Sequence, residues 1–149
     1  MPAVAVALVF VYCLRVNLRF RLGCVNPAKV VSTNPFKLAV FTDLTTGVSE
    51  YPVIKILHHP VPRGTRYRTG DKCATVAMYS GAADAEHWED FDPVMVDCAT
   101  MEPSAIENVL RSIPIDEWSH LEEGLKNLPL PLKMGIYPLS RRPGGATNL

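Results

Sequence analysis

The sequence predicts a mainly β fold: a small antiparallel barrel or rolled sheet of five to six strands, followed by a C-terminal helical hairpin and preceded by an N-terminal apolar helix. Three observations predict it. Five short runs rich in β-branched, apolar or aromatic residues fall within the 70 residues from Lys29 to Cys98, with no helical pattern between them. Beyond Pro103 the apolar residues change from a period of two to that of a helix. Ahead of everything, Pro2 to Leu14 is an uncharged, mostly apolar run, followed at once by Arg15, Arg19 and Arg21. With 149 residues, 48% of them hydrophobic, the chain suffices for one domain with a core and falls short of two ordinary ones. The expected division is an anchor-like segment over 1–22, a β domain over 23–100, a helical hairpin packed on it over 101–139, and a disordered tail over 140–149 with little to bury.

Taken as a helix, Pro2 to Leu14 spans about 20 Å, short of a hydrocarbon core of about 30 Å. Extension to Leu22 supplies the length and puts the three arginines where they would snorkel towards headgroups. A secretory signal carries its charge before the apolar run, whereas here the charge follows it. The positive-inside rule then places the β domain in the cytoplasm, which suits free cysteines. A buried element of a soluble core is the alternative reading of the same run.

Leu22 to Lys29 carries glycine and Asn-Pro and reads as a linker. Lys29 to Thr33 and Phe36 to Leu44 are the first two strands, separated by Asn34-Pro35. Val48 to His59 is the third, with Pro52 at an edge, a bulge or its start because proline cannot donate to a ladder. Gly70-Asp71 marks a tight turn into Cys73 to Tyr79, which presents Ala74, Val76 and Met78 on one face and Cys73, Thr75, Ala77 and Tyr79 on the other. Both faces are largely apolar, so this strand is expected to be central, with Met78 in the core. An acidic connector follows, whose Trp88 and Phe91 are expected to fold back as a lid over an open barrel end, and then a strand from Val94 to Cys98. Ile106, Val109, Leu110 and Ile113 recur at helical spacing after Pro103, and a second helix opening near Pro114 to Asp116 buries Trp118, Leu121 and Leu125. Pro129 and Pro131 stop it.

Function is less legible. Fifteen basic and fifteen acidic residues cancel, so no global field draws the chain to nucleic acid. The four cysteines lie at long irregular intervals with no C-x-x-C pair, which points to no zinc site and no redox dithiol. Asp84, Glu86, His87, Glu89, Asp90 and Asp92 lack the spacing of a calcium loop, and a solvated loop is the plainer reading. His58 and His59 alternate on a strand and point apart, which disfavours a paired ligand role. No nucleophile elbow, Walker loop or dinucleotide turn is present in the sequence, so no catalytic, metal or cofactor-binding residue is assigned. The remaining candidates are basic: Arg15, Arg19, Arg21, Arg63, Arg66, Arg68 and Lys72 have the charge to meet an anionic surface, with lipid favoured over nucleic acid because the chain has few aromatics for stacking.

The segments VNPAKVVSTNPFKLAVFTDLTTG, YRTGDKCATVAMYSG, HWEDFDPV and IPIDEW resemble an uncharacterised actinobacterial, corynebacterial-type family described as membrane proteins with a small soluble β domain. The resemblance covers about Val25 to Leu139 and implies no known activity, cofactor or catalytic residue. The expected function is a membrane-associated interaction or accessory module with a cytoplasmic β domain and an unidentified protein partner. A soluble ligand- or nucleic-acid-binding barrel is the runner-up, and an enzyme, which no motif supports, comes third.

Overall fold

The computed structural model describes residues 11, 14, 20–47 and 49–140. Six strands form one antiparallel sheet: β1 (Cys24–Thr33), β2 (Phe36–Asp43), β3 (Pro52–His58), β4 (Lys72–Ser80), β5 (Asp90–Met95) and β6 (Gly135–Pro138), in the order β5-β4-β1-β2-β3-β6. A 3-10 turn (Val96–Cys98) and two helices, α1 (Pro103–Ser112) and α2 (Ile115–Lys126), lie between β5 and β6. β1 is paired on both sides, with Ala28 opposite Val40 of β2 and Cys73 of β4.

Strand alternation sorts the apolar residues into two cores. Ala28, Val30, Leu38, Val40, Val53, Cys73, Ala77, Phe91 and Met95 cluster on the inner face of the curled sheet. On the outer face, Ala39, Phe41, Ile54 and Ile56 pack with Leu121, Trp118 and Leu125 of α2. Ala74 and Val76 meet Ile106, Val109 and Leu110 of α1, with Ile113 and Val96 beside them. A Cβ added at Gly124 would come within 2.5 Å of Ile54 Cδ1, so glycine sets how closely α2 approaches β3. Three polar side chains meet on the inner face: Thr42 Oγ1 donates to Asn26 Oδ1 at 2.9 Å, and Tyr79 Oη lies 2.6 Å from Thr42 Oγ1. They satisfy one another where an unpaired polar atom would be costly.

The sheet is a curled half-barrel, which decides between the barrel and the rolled sheet that strand spacing left open: β5 and β6 do not pair with each other. Side chains bridge the gap between β3 and β5 instead. Lys55 Nζ donates to Phe91 O at 2.6 Å and to Asp90 Oδ1 at 2.7 Å, 5.3 Å from the Phe91 ring centroid. Met95 N–H donates to His59 Nε2 at 3.2 Å. Phe91 N–H is taken by Asp90 Oδ1 at 2.7 Å, and Pro93 has no N–H to offer. The free edge of β5 is thereby blunted against pairing with another chain. At one end of the curl Trp88 N–H donates to Leu44 O at 2.8 Å and His87 stacks on Tyr51 with centroids 3.8 Å apart, so the acidic connector folds back onto the β2–β3 turn, whereas Phe91, expected beside Trp88 in a lid, is instead a buried core residue of β5.

Several expectations need correction. β1 starts at Cys24, so Asn26-Pro27 belongs to a strand and not to a linker. Pro27 pairs with Ala74 of β4 just past the last β1–β2 partners, Ala28 and Val40, so its missing N–H costs no ladder bond on the β2 side. The strand expected from Val94 to Cys98 runs instead over Asp90–Met95, and the chain then tightens into the 3-10 turn that carries Val96 to the outer face. Met78 is 37% exposed and not in the core, since the α1 cluster ends at Val76. Its replacement by alanine should therefore leave the denaturation midpoint nearly unchanged, whereas a cavity-sized loss would place it back in the core. β6, within the segment read as hairpin, adds a sixth strand through pairing of Ile54 with Tyr137. Most of the apolar stretch 1–22, and the tail 141–149, lie outside the described residues. Among the described residues no helix is long and apolar enough to cross a membrane.

Candidate functional site: a basic tip

The loop from Pro60 to Asp71 leaves β3 and enters β4, and its geometry is fixed locally by turn chemistry. Thr65 Oγ1 donates to Pro62 O at 2.7 Å, and Gly64 takes φ +79°, a left-handed conformation open to glycine. Asp71 Oδ2 accepts the Arg68 N–H at 2.7 Å, as an aspartate in a tight turn does, and Gly70, at φ +99°, donates its N–H to Val30 O at 2.7 Å. Tyr67 points inwards, 5.9 Å from the Phe36 ring, and its hydroxyl donates to Asp97 Oδ2 in the 3-10 turn. Arg66 and Arg68 flank it and are exposed, as is Arg63. None of these three guanidinium groups makes an ion pair or a side-chain hydrogen bond within the described residues.

Two contacts tie the loop and the residue that leads into it to the end of β5 and the turn beyond. One is the Tyr67–Asp97 bond; burial, with Asp97 next, pushes the Tyr67 hydroxyl upwards, so it stays a donor. The other is His59, whose Nδ1–H meets Pro60 O at 2.7 Å while Nε2 accepts from Met95. That pair of bonds requires a neutral ring, and burial holds the His59 pKa below its ordinary value, against the opposing effects of the Pro60 bond and the Asp92 charge. A group whose folded pKa is depressed binds fewer protons folded than unfolded. Its contribution is complete above the ordinary histidine range near pH 6.5 and declines as pH falls towards the lowered value. The unfolding midpoint should therefore drop between pH 7.5 and pH 5 by more in the parent than in His59→Gln; equal declines would remove this role. Cys73, behind the tip, has its thiol pushed up to about 12 by burial, then by the Asp97 and Asp71 charges, and is held protonated.

The seven basic residues singled out from the sequence do not form one cluster. Arg15 and Arg19 lie outside the described residues. Arg21 is exposed just before β1, beside Leu22, which is 70% exposed. From Cys24, opposite Ala77, to Val30, bonded to Gly70 and Asp71, β1 carries the chain about 20 Å, so Arg21 and the tip sit at opposite ends of that strand. Lys72 turns to the outer face, 5.0 Å above the Trp118 ring, next to Lys29, which bonds Glu122 at 2.8 Å. The Lys29 ammonium holds the Glu122 carboxyl below its usual range, against a smaller effect of burial. Only Arg63, Arg66 and Arg68 share the loop.

Sequence reasoning missed Met101. It is 76% exposed, and a Cβ built on Gly64 would meet its Cε at 3.5 Å, so its methyl lies against the basic turn. A signal was available: Met101 falls out of step with the Ile106, Val109, Leu110 and Ile113 repeat and has no core to enter. His59 and Asp97 as fasteners could not be found the same way, because their partners are 36 and 30 residues away in the chain.

The fold is similar to the crystal structure of "a putative membrane protein from Corynebacterium diphtheriae", with a TM-score of 0.66 and 17% identity over 78% of this chain and 100% of that one. No curated protein matches the chain. A family profile, DUF3239, described as a protein of unknown function, matches residues 15–129. That match takes in well over half of the sequence: the chain belongs to the DUF3239 family of proteins of unknown function.

Proposed function

We propose that the protein is a membrane-associated accessory module whose basic tip rests on anionic lipid headgroups, with its β domain on the cytoplasmic side. The observation that carries this reading is the trio of exposed guanidinium groups, Arg63, Arg66 and Arg68, held with no acidic partner among the described residues on a loop fastened to the domain. Each basic residue brought to an anionic leaflet contributes about 1 kcal/mol. The apolar stretch Pro2 to Leu14 with Arg15, Arg19 and Arg21 after it supplies a second contact, and the description of the corynebacterial neighbour as a membrane protein supports the same reading. Because the tip and Arg21 lie at opposite ends of β1, contact of both with one bilayer lays that strand along the membrane plane.

Fractionation of cells expressing the full chain tests the reading. At low salt the protein is expected in the membrane pellet. Recovery of the whole population in the soluble fraction at low salt would contradict it.

A further inference from the structure

A single exposed methionine is ordinary on a protein surface. Met101 is not placed in an ordinary way. It projects at the turn of Gly64, where the loop's two neighbours in sequence are Arg63 and Thr65, and Val61, at the root of the same loop, is 50% exposed. The segment carrying it is held to the loop from behind by the Asp97 carboxylate on the Tyr67 hydroxyl. The adjacent acid, Glu102, accepts a hydrogen bond from Ser104 Oγ at 3.1 Å, so it is engaged along its own segment. An exposed cationic rim beside a projecting apolar side chain is the arrangement by which a peripheral protein holds a lipid interface: charge draws the surface up, and apolar atoms leave water among the acyl chains.

We propose that Met101 inserts into the acyl-chain boundary of an anionic bilayer, with Arg63, Arg66 and Arg68 on the headgroups around it. This rests on the proposed membrane reading and adds depth to it: the tip enters the bilayer and does not merely lie on its charge. Insertion makes part of the binding resistant to salt, since burying a thioether side chain is unaffected by screening of the arginines.

Flotation with vesicles of equal parts phosphatidylglycerol and phosphatidylcholine, brominated in the acyl chains, separates the two layers of the argument. The full chain carrying Met101→Trp is compared with the parent, whose Trp88 and Trp118 set the background. The result expected is flotation of both proteins, with quenching and a blue shift in the variant beyond those of the parent. In parallel, Met101→Gln should weaken vesicle binding about tenfold. Flotation with no added quenching, and with Met101→Gln binding as the parent does, overturns insertion and leaves the headgroup contact standing. Failure of the parent to float overturns both. Met101 is so exposed that either variant is expected to retain the parent's denaturation midpoint, which checks that the fold is intact.

Discussion

Replacement of Phe91 by alanine should destabilise the domain by about 3–5 kcal/mol, the cost of a large cavity in a packed core. Phe91 is 1% exposed although it belongs to an edge strand, because the sheet curls until β5 faces β3 across the inner core. Its ring stacks on Tyr79 at 6.0 Å, and Lys55 lies above it while bonding its carbonyl oxygen. Loss of the ring therefore removes apolar contacts and also the platform under the lysine that bridges the gap. Against a total stability of about 5–15 kcal/mol for a domain, such a loss is large, and the melting temperature should fall by about 10 °C or more. A shift of only a degree or two would mean that β5 is not docked on the inner core.

Tyr67→Phe should have the second largest effect, about 2 kcal/mol, although it deletes one oxygen atom. The reason lies in Asp97. Its Oδ1 is buried with no hydrogen-bond partner among the described residues, and Tyr67 serves Oδ2. Without the hydroxyl the carboxylate loses its donor and keeps its charge in a half-buried place, which is costlier than the loss of a surface bond. Pairing the change with Asp97→Asn should recover part of the loss, since the stranded charge is then gone. Denaturation of the two single variants and the double variant measures the coupling. Additive effects would show that the two groups do not interact. Proteolysis within residues 60–71 should rise in Tyr67→Phe, because that bond fastens the loop.

Much of the sheet was legible in the sequence because strand alternation is a local signal. In β4 the side chains of Cys73, Thr75, Ala77 and Tyr79 face inwards, and Ala74 and Val76 meet the helices, as period-two reading requires. The helical spacing of Ile106, Val109, Leu110 and Ile113 likewise survives as the face of α1 and its exit that meets the sheet. What failed was set by distant partners. Met78 has the right period and the wrong surroundings, since the cover provided by α1 stops short of it. β6 is four residues with glycine at one end and proline at the other, a composition that signals a turn, and only the free edge of β3 makes it a strand. Strand spacing left a barrel and a rolled sheet both open, because the open side is bridged by Lys55 and His59, whose roles depend on residues 35 or more positions away. The basic residues show the same divide: charge along the chain was visible, but the turn of Lys72 towards Trp118 and the separation of Arg21 from the tip are consequences of topology.

The most direct test of the tip is vesicle affinity of the full chain with Arg63→Gln, Arg66→Gln and Arg68→Gln combined, measured on phosphatidylglycerol-containing and on pure phosphatidylcholine vesicles. At about 1 kcal/mol for each arginine, the combined variant should lose about 100-fold in affinity for the anionic vesicles, most of the parent's salt dependence, and nothing on the neutral ones. Equal affinity of parent and variant for the anionic vesicles at low salt would contradict the assignment of this loop as the lipid-facing surface.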